Sequence, residues 1–345
     1  MTDTASSPVP QREVPPNIIM LQMLAGFQVA QALYVAAKLD IATILVAKGP
    51  RTVQELADEA GVDADALGRV IRALASFGVF RTNDDQVEVT PLGITLAEDP
   101  LSLKYPAIFW METHYGPFGD LLHTVRTGEP AANKYYGEPW FEWVGKDPER
   151  IDLLTRAMGA VTTSLRRGMF DGYRLPEGAV VADIGGADGA MIAQLLADDP
   201  DRRGIVFDLP DVVAAAPKTI AAHGLTGRVQ VVGGDFFDSV PAADVYILSY
   251  ILHDWDDESC RRILANIAKA AKPGARLVIV ESVIPAGDEP HPAKVIDITM
   301  LAMLTGRERT EEEYRALLSS AGFRLNRVAP SPTPYCFIEA TLGLR

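Results

Sequence analysis

The chain has 345 residues, 48% of them apolar and 23% charged, a balance that excludes disordered and collagen-like classes and leaves length for about two domains. Its 46 acidic side chains outnumber 32 basic ones, for a formal charge of -14, so most of the surface repels phosphate backbones and nucleic acid is not expected as a partner. The two cysteines, Cys260 and Cys336, make neither a disulfide framework nor a Cys-x-x-Cys metal knuckle and read as core thiols in a reducing cytosol.

Residues 1–17, MTDTASSPVPQREVPPN, lack a cationic start followed by an apolar run and read as a disordered leader rather than a secretory signal. The stretch Leu24 to Ala47 is broken by Gln28, Gln31, Lys38 and Asp40, too polar for a membrane span, which predicts a cytoplasmic protein with no membrane partner. Ile18, Leu21, Leu24, Val29, Leu33, Ala36 and Leu39 recur at steps of three to five, the spacing of amphipathic helices. Residues 51–92 then read as a winged helix. RTVQELADEAG is a helix stopped by Gly61, DADALGRVIRALASFG is a second with Asp63 as N-cap and Gly78 as stop, and VFRT and QVEVT form the wing. Between Gly49 and Gly93 four arginines face eight acids, which favours an interaction or dimerisation module over DNA binding. The first domain is therefore expected over 18–100.

Residues 101–170 read as a helical linker rich in aromatics and Met, among them Trp110, Tyr115, Trp140, Trp143 and Met158, able to wall a flat apolar ligand. The texture then changes. VVADI, GIVFDL, VQVVGGD, DVYILSY and RLVIVES are short Val/Ile-rich runs separated by helical segments, so 171–345 is expected as an α/β, doubly wound Rossmann-like sheet. RLNRVA and YCFIEATL have no helix between them and close the sheet antiparallel.

The chemistry is expected at the strand ends. VVADI runs into Gly185, Gly186, Ala187, Asp188 and Gly189, a turn where ligand can approach backbone and a helix N-terminus favours an anionic group. Ile184 stands where a dinucleotide fingerprint has its first glycine, so NAD is disfavoured. Asp208, 19 residues past Gly189, suits the two hydroxyls of a ribose; Asp235 and Phe236 offer a carboxylate and an aromatic face to an adenine. His253, just beyond the fourth strand, can take a proton from a hydroxyl as neutral imidazole. No metal-ligand cluster stands out, and His291, between two prolines, reads as a loop residue.

ADIGGADG, FDLPDVV, GGDFF, ILHDWDD, VESVIP and DITMLAMLTGRERTEEEYRALLSSAGF together resemble the S-adenosylmethionine-dependent small-molecule O-methyltransferases of the plant phenolic, hydroxyindole and bacterial antibiotic-tailoring type, over nearly the whole chain. The resemblance implies S-adenosyl-L-methionine as cofactor, a homodimer joined through the N-terminal domain, and methylation of an aromatic or quinoid hydroxyl. It implies that Asp183, Gly185, Gly186 and Ser249 hold the methionine part, Asp208 and Leu209 the ribose, and Asp235, Phe236 and Trp255 the adenine. His253 matches the general base and Glu281 and Glu308 the acids that flank it, while Trp110, Met158, Asp254, Met300 and Met303 are expected around the acceptor. The sequence departs from the family where a third consecutive glycine is often found (Ala187) and where many members have Lys (Ser249). Methylation of nitrogen or carbon, or a relative that binds the cofactor without transferring methyl, keeps the same fold; an S-adenosylmethionine-sensing winged-helix regulator is the alternative of another class.

Overall fold

The computed structural model describes residues 14–99, 102–197 and 199–343, in two compact units: one runs up to Thr113 and includes Asp152–Val161, and the other takes His114–Ile151 and the chain from Thr162 onward. Most of the expected leader, residues 1–13, lies outside the described residues; Pro16 already opens a helix, Pro16–Leu24.

In the first unit that helix breaks at Ala25, and Gly26–Lys38 and Ile41–Lys48 follow. None of the residues of Pro16–Leu24 is buried, and Ile18, Ile19, Met20, Leu21, Met23 and Leu24 are exposed. Among the described residues no single helix is long and apolar enough to cross a membrane; Pro16–Leu24 and Gly26–Lys38 meet the length and composition only as a pair bent by 42°. The winged helix forms as its caps require. Thr52 and Glu55 make a reciprocal capping box at the start of Val53–Ala60, and the Asp63 carboxylate accepts from Ala66 N at 2.8 Å at the start of Ala64–Ser76. Strands β2 (Phe80–Asn83) and β3 (Gln86–Val89) make the wing, and the two-residue strand β1 (Arg51–Thr52) adds to β3 to give the order β1-β3-β2. Ile41, Leu45, Leu56, Leu67, Ile71, Leu74, Phe80 and Val87 fill its core. Lys104–Thr113, carrying Trp110, also belongs to this unit.

The second unit holds the rest of the aromatic segment as the short helices Tyr115–Phe118, Leu121–Thr127, Ala131–Tyr136 and Trp140–Gly145. Its sheet comprises β4 (Val180–Ile184), β5 (Arg203–Asp208), β6 (Val229–Gly233), β7 (Val245–Ser249), β8 (Arg276–Ile284), β9 (Arg309–Thr310), β10 (Phe323–Pro330) and β11 (Tyr335–Leu342). The order is β10-β11-β8-β7-β4-β5-β6, with β9 pairing parallel to the end of β8 off this path. Strands β4 to β8 run parallel, whereas β11 pairs antiparallel with both β8 and β10. Successive side chains alternate faces. Ala182, Ile184, Phe207, Leu248 and Ile279 pack with Ile263, Leu264 and Ile267 of helix Asp257–Ala270, while Val181, Val206, Ile247 and Val278 pack with Ile192, Leu196 and Ile220 on the other face. Strand order reverses between β4 and β7, which puts the ligand crevice of a doubly wound sheet at the carboxyl ends of these two strands.

Candidate active site

The carboxyl ends of β7, β4, β5 and β6 lie side by side in the sheet. After β4, the N–H groups of Gly185 and Gly186 both donate to Phe207 O at 2.8 and 3.2 Å, which ties the turn to β5. A Cβ at Gly186 would lie 2.8 Å from Asp183 Cγ, so only glycine lets the backbone run beside that wholly buried carboxyl. Ala187 takes φ +46°, in the left-handed region that costs a residue with a Cβ.

Asp208 ends β5 with its carboxylate pinned to the same turn: Oδ2 accepts from Ala187 N at 2.9 Å and Oδ1 from Leu209 N at 2.7 Å. Burial raises its pKa, opposed by these two hydrogen bonds. Leu209 is 49% exposed beside it. Beyond β6, Asp235 Oδ1 accepts from Phe237 N at 2.7 Å, and Phe236, Phe237 and Trp255 form a cluster of edge-on rings with centroids 4.8–6.2 Å apart. Asn266, on helix Asp257–Ala270, donates to the carbonyls of both Phe236 and Phe237 at 2.9 Å, a support that sequence reasoning missed. Ser249, the last residue of β7, is buried.

After β7 the chain enters a tight 3-10 turn, Leu252–Asp254, through Tyr250 at φ +56°. His253 Nδ1 lies 2.8 Å from Glu308 Oε1, and Nε2 lies 3.5 Å from Asp254 Oδ1. The imidazole is 15% exposed and Glu308 only 2%. Burial disfavours the imidazolium, but the charge of Asp254, the hydrogen bond to Glu308 and the charges of Glu281 and Glu308 outweigh it and push His253 up to about 10. Asp254 in turn is raised, by burial first and by Glu308, with His253 opposing.

Glu281, on β8, works differently from the expected flanking acid. Its Oε1 accepts from the backbone N–H groups of Ile251, Leu252 and His253 at 3.1, 2.7 and 3.2 Å, so it holds the turn that carries the imidazole and not the ring. The buried Tyr314 hydroxyl donates to its other oxygen. Gly306 lies against the same turn. A Cβ there would sit 2.0 Å from His253 O and 2.4 Å from Asp254 C, and the next residue, Arg307, donates its N–H to His253 O at 2.9 Å. Neither Tyr314 nor Gly306 was picked out from sequence, although both lie in the run that carried Glu308.

The expected acceptor contacts divide between the units. Asp254, Met300 and Met303 are in the second, the two methionines on helix Pro292–Met303, with Met300 half-buried and Met303 2% exposed; Trp110 and Met158 are exposed residues of the first. His291 is the N-cap of helix Pro292–Met303, its Nδ1 accepting from Ala293 N at 3.2 Å. Cys260 is buried and Cys336 half-buried, both as free thiols.

Residues 118–324 match the O-methyltransferase domain family and residues 21–99 the O-methyltransferase dimerisation domain. The chain is 41% identical over 330 residues to a phenazine O-methyltransferase of Lysobacter antibioticus, covering 95% of this chain and 96% of that one. It is 34% identical to an 8-amino-8-demethylriboflavin N,N-dimethyltransferase of Streptomyces davaonensis, covering 93% and 94%. Among solved structures, an O-methyltransferase from neocarzinostatin biosynthesis, in complex with S-adenosylmethionine and 2-hydroxy-5-methyl naphthoic acid, superposes with a TM-score of 0.80 at 31% identity, covering 96% of this chain and all of that one. The chain therefore belongs to the S-adenosylmethionine-dependent O-methyltransferase family and carries that family's dimerisation domain.

Proposed function

We propose that the enzyme transfers the methyl group of S-adenosylmethionine to a hydroxyl of an aromatic or quinoid small molecule, with His253 as general base. The observation that carries this reading is the imidazole held at Nδ1 by Glu308 at 2.8 Å, on a turn directly beyond β7. The strand ends fit the donor. The buried Asp183 carboxyl suits the cationic side of its methionine part and the Gly185–Gly186 turn lets that part approach the backbone, with Ser249 nearby on β7. A carboxylate has about four acceptor sites; Asp208 uses one on Ala187 N of the turn after β4 and one on Leu209 N, and keeps capacity for a ribose diol beside Leu209. Asp235 and the aromatic cluster of Phe236 and Trp255 suit an adenine. When bound, the donor supplies an electrophilic methyl carbon on a sulfonium.

The protein then has to align the acceptor oxygen, exclude water and remove a proton from a phenol of pKa near 10. A positioned base contributes roughly 10²- to 10⁴-fold. Carboxylates at both ring nitrogens favour the imidazolium form of His253 and raise its pKa, so it is the neutral fraction of the ring that takes the acceptor's proton. Asp254 and Met300 are the acceptor contacts we assign within the second unit. We further assign the exposed apolar helix Pro16–Leu24 to contact with a second copy of the chain, in keeping with the dimerisation domain.

The riboflavin relative gives specific support to a second reading, transfer to an amine. One experiment separates the two: isotope-labelled methyl transfer from S-adenosylmethionine into a pool of phenols, hydroxyquinones and aromatic amines, read by mass spectrometry with His253→Ala alongside. A labelled methoxy product that falls by two or more orders of magnitude in the variant is expected. Wild-type turnover in His253→Ala would remove the base, and labelled methylamines alone would replace O- with N-methylation.

A further inference from the structure

Arg309 is the largest fully buried side chain among the described residues, 1% exposed, and the reading of the site so far leaves it without a role. It follows Glu308 directly and opens β9. Its guanidinium spends its donors on one place. Nη1 donates to Leu252 O at 2.9 Å and to Arg307 O at 3.3 Å; Nη2 donates to Trp255 O at 3.0 Å and to Asp257 Oδ1 at 2.8 Å; Nε donates to Asp257 Oδ1 at 3.2 Å.

Leu252 and Trp255 bracket His253 and Asp254. The turn that carries the base is thus gripped on its N–H side by Glu281 and on its carbonyl side by Arg309, with the Arg309 fork anchored on Asp257 in the first turn of helix Asp257–Ala270. A buried guanidinium is a costly way to fill space, because well-packed apolar residues of similar volume are as stable or more so. What it supplies that they cannot is a planar fork whose N–H groups reach three carbonyls and a carboxylate at once; a lysine ammonium is a single point.

We propose that Arg309 is a positioning residue for the methyl transfer: by clamping the carbonyls of Leu252 and Trp255 it sets where His253 presents Nε2 to the acceptor hydroxyl. The inference rests on His253 acting as the base. Arg309 touches neither donor nor acceptor, so its loss acts first on the proton step and reaches the donor only indirectly, through the Trp255 carbonyl.

The test compares wild type, Arg309→Lys, Asp257→Asn and His253→Ala on a series of phenols whose pKa values run from about 7 to about 10, at one pH, with S-adenosylhomocysteine affinity measured by calorimetry. Arg309→Lys is expected to keep that affinity within about twofold and to lower kcat roughly 10- to 100-fold on the least acidic phenols. On phenols already ionised at the assay pH the loss shrinks to about threefold or less. Asp257→Asn, which keeps shape and weakens the anchor, follows the same trend with smaller amplitude and carries the test if Arg309→Lys does not fold. A loss in these variants that is uniform across the series, while His253→Ala remains dependent on acceptor pKa, overturns the clamp. A uniform loss in His253→Ala itself overturns the base reading instead.

Discussion

Asp254→Asn tests the electrostatics of His253, the proposed base. The substitution keeps the side-chain volume and removes one negative charge 3.5 Å from His253 Nε2. Two unit charges at that distance interact by about 5 kcal/mol at an effective dielectric constant near 20, an upper bound for a carboxylate whose side chain is still 26% exposed. Neighbouring opposite charges commonly move a pKa by about 1 to 3 units, or about 1.4 to 4 kcal/mol. The sign follows from the folded state. Asp254 stabilises the imidazolium and helps to push His253 up to about 10, so its removal lowers that pKa and frees neutral base at lower pH. The rising limb of kcat/KM against pH, which reports the free enzyme's base, is expected to move down by about 1 to 3 units. The assay is a profile from pH 6 to 11 with two phenols of different acidity: the acceptor's own ionisation moves with the phenol, and the enzyme's limb does not. A rising limb that stays in place, or moves up, refutes the assignment of the raised pKa to Asp254.

Ala187→Gly removes the penalty of φ +46° in the turn after β4; set against the extra freedom of glycine in the unfolded chain, a gain of about 0.5–1 kcal/mol is expected, read as a raised midpoint in urea unfolding with unchanged slope. A lowered midpoint would show that the turn does not need this backbone. Gly306→Ala forces a Cβ to within 2.0 Å of His253 O, so the turn must shift. Turnover should fall at least tenfold while S-adenosylhomocysteine affinity, measured by calorimetry, stays within about threefold; equal losses in both would place Gly306 in general folding. Tyr314→Phe removes the hydroxyl that donates to Glu281 and leaves a buried carboxylate oxygen short of a partner, for an expected loss of about 1–3 kcal/mol in denaturant unfolding, and an unchanged stability would remove that contact from the account.

Much of this architecture could be read from residue pattern because the pattern has a physical cause. The Val/Ile runs of β4, β5, β7 and β8 are buried on both faces by helices, so they stay apolar throughout, and Thr52, Asp63, Asp256 and Thr310 announce helix starts because each accepts from a backbone N–H of the first turn. That Asp208, Asp235 and His253 stand at or just beyond strand ends was legible for the same reason, because the apolar runs mark where each strand stops. Other features carry no periodic signal. Strands β1 and β9 are two residues each, too short for alternation to register. Glu281 could be matched to a motif, but that it grips backbone N–H groups depends on how β8 and the turn after β7 meet in space. Arg309, charged and next to a helix start, has the local look of a solvated residue; only the tertiary packing of the 306–309 segment on the His253 turn buries it.

The insertion of β11 between β10 and β8 has a consequence for biosynthesis. Cys336 of β11 stands opposite Glu281 of β8, and the seven paired positions from Tyr335 to Thr341 cover the strand that holds the His253 turn. Of all the strands in this sheet, β11 leaves the ribosome last. Until it does, the flank of β8 on that side is an unpaired edge of apolar residues, open to pairing with any other extended chain. Translation that stalls or ends before residue 335 therefore yields a polypeptide with every proposed cofactor and proton-transfer residue present and an adhesive sheet edge beside them, a substrate for chaperones rather than a catalyst.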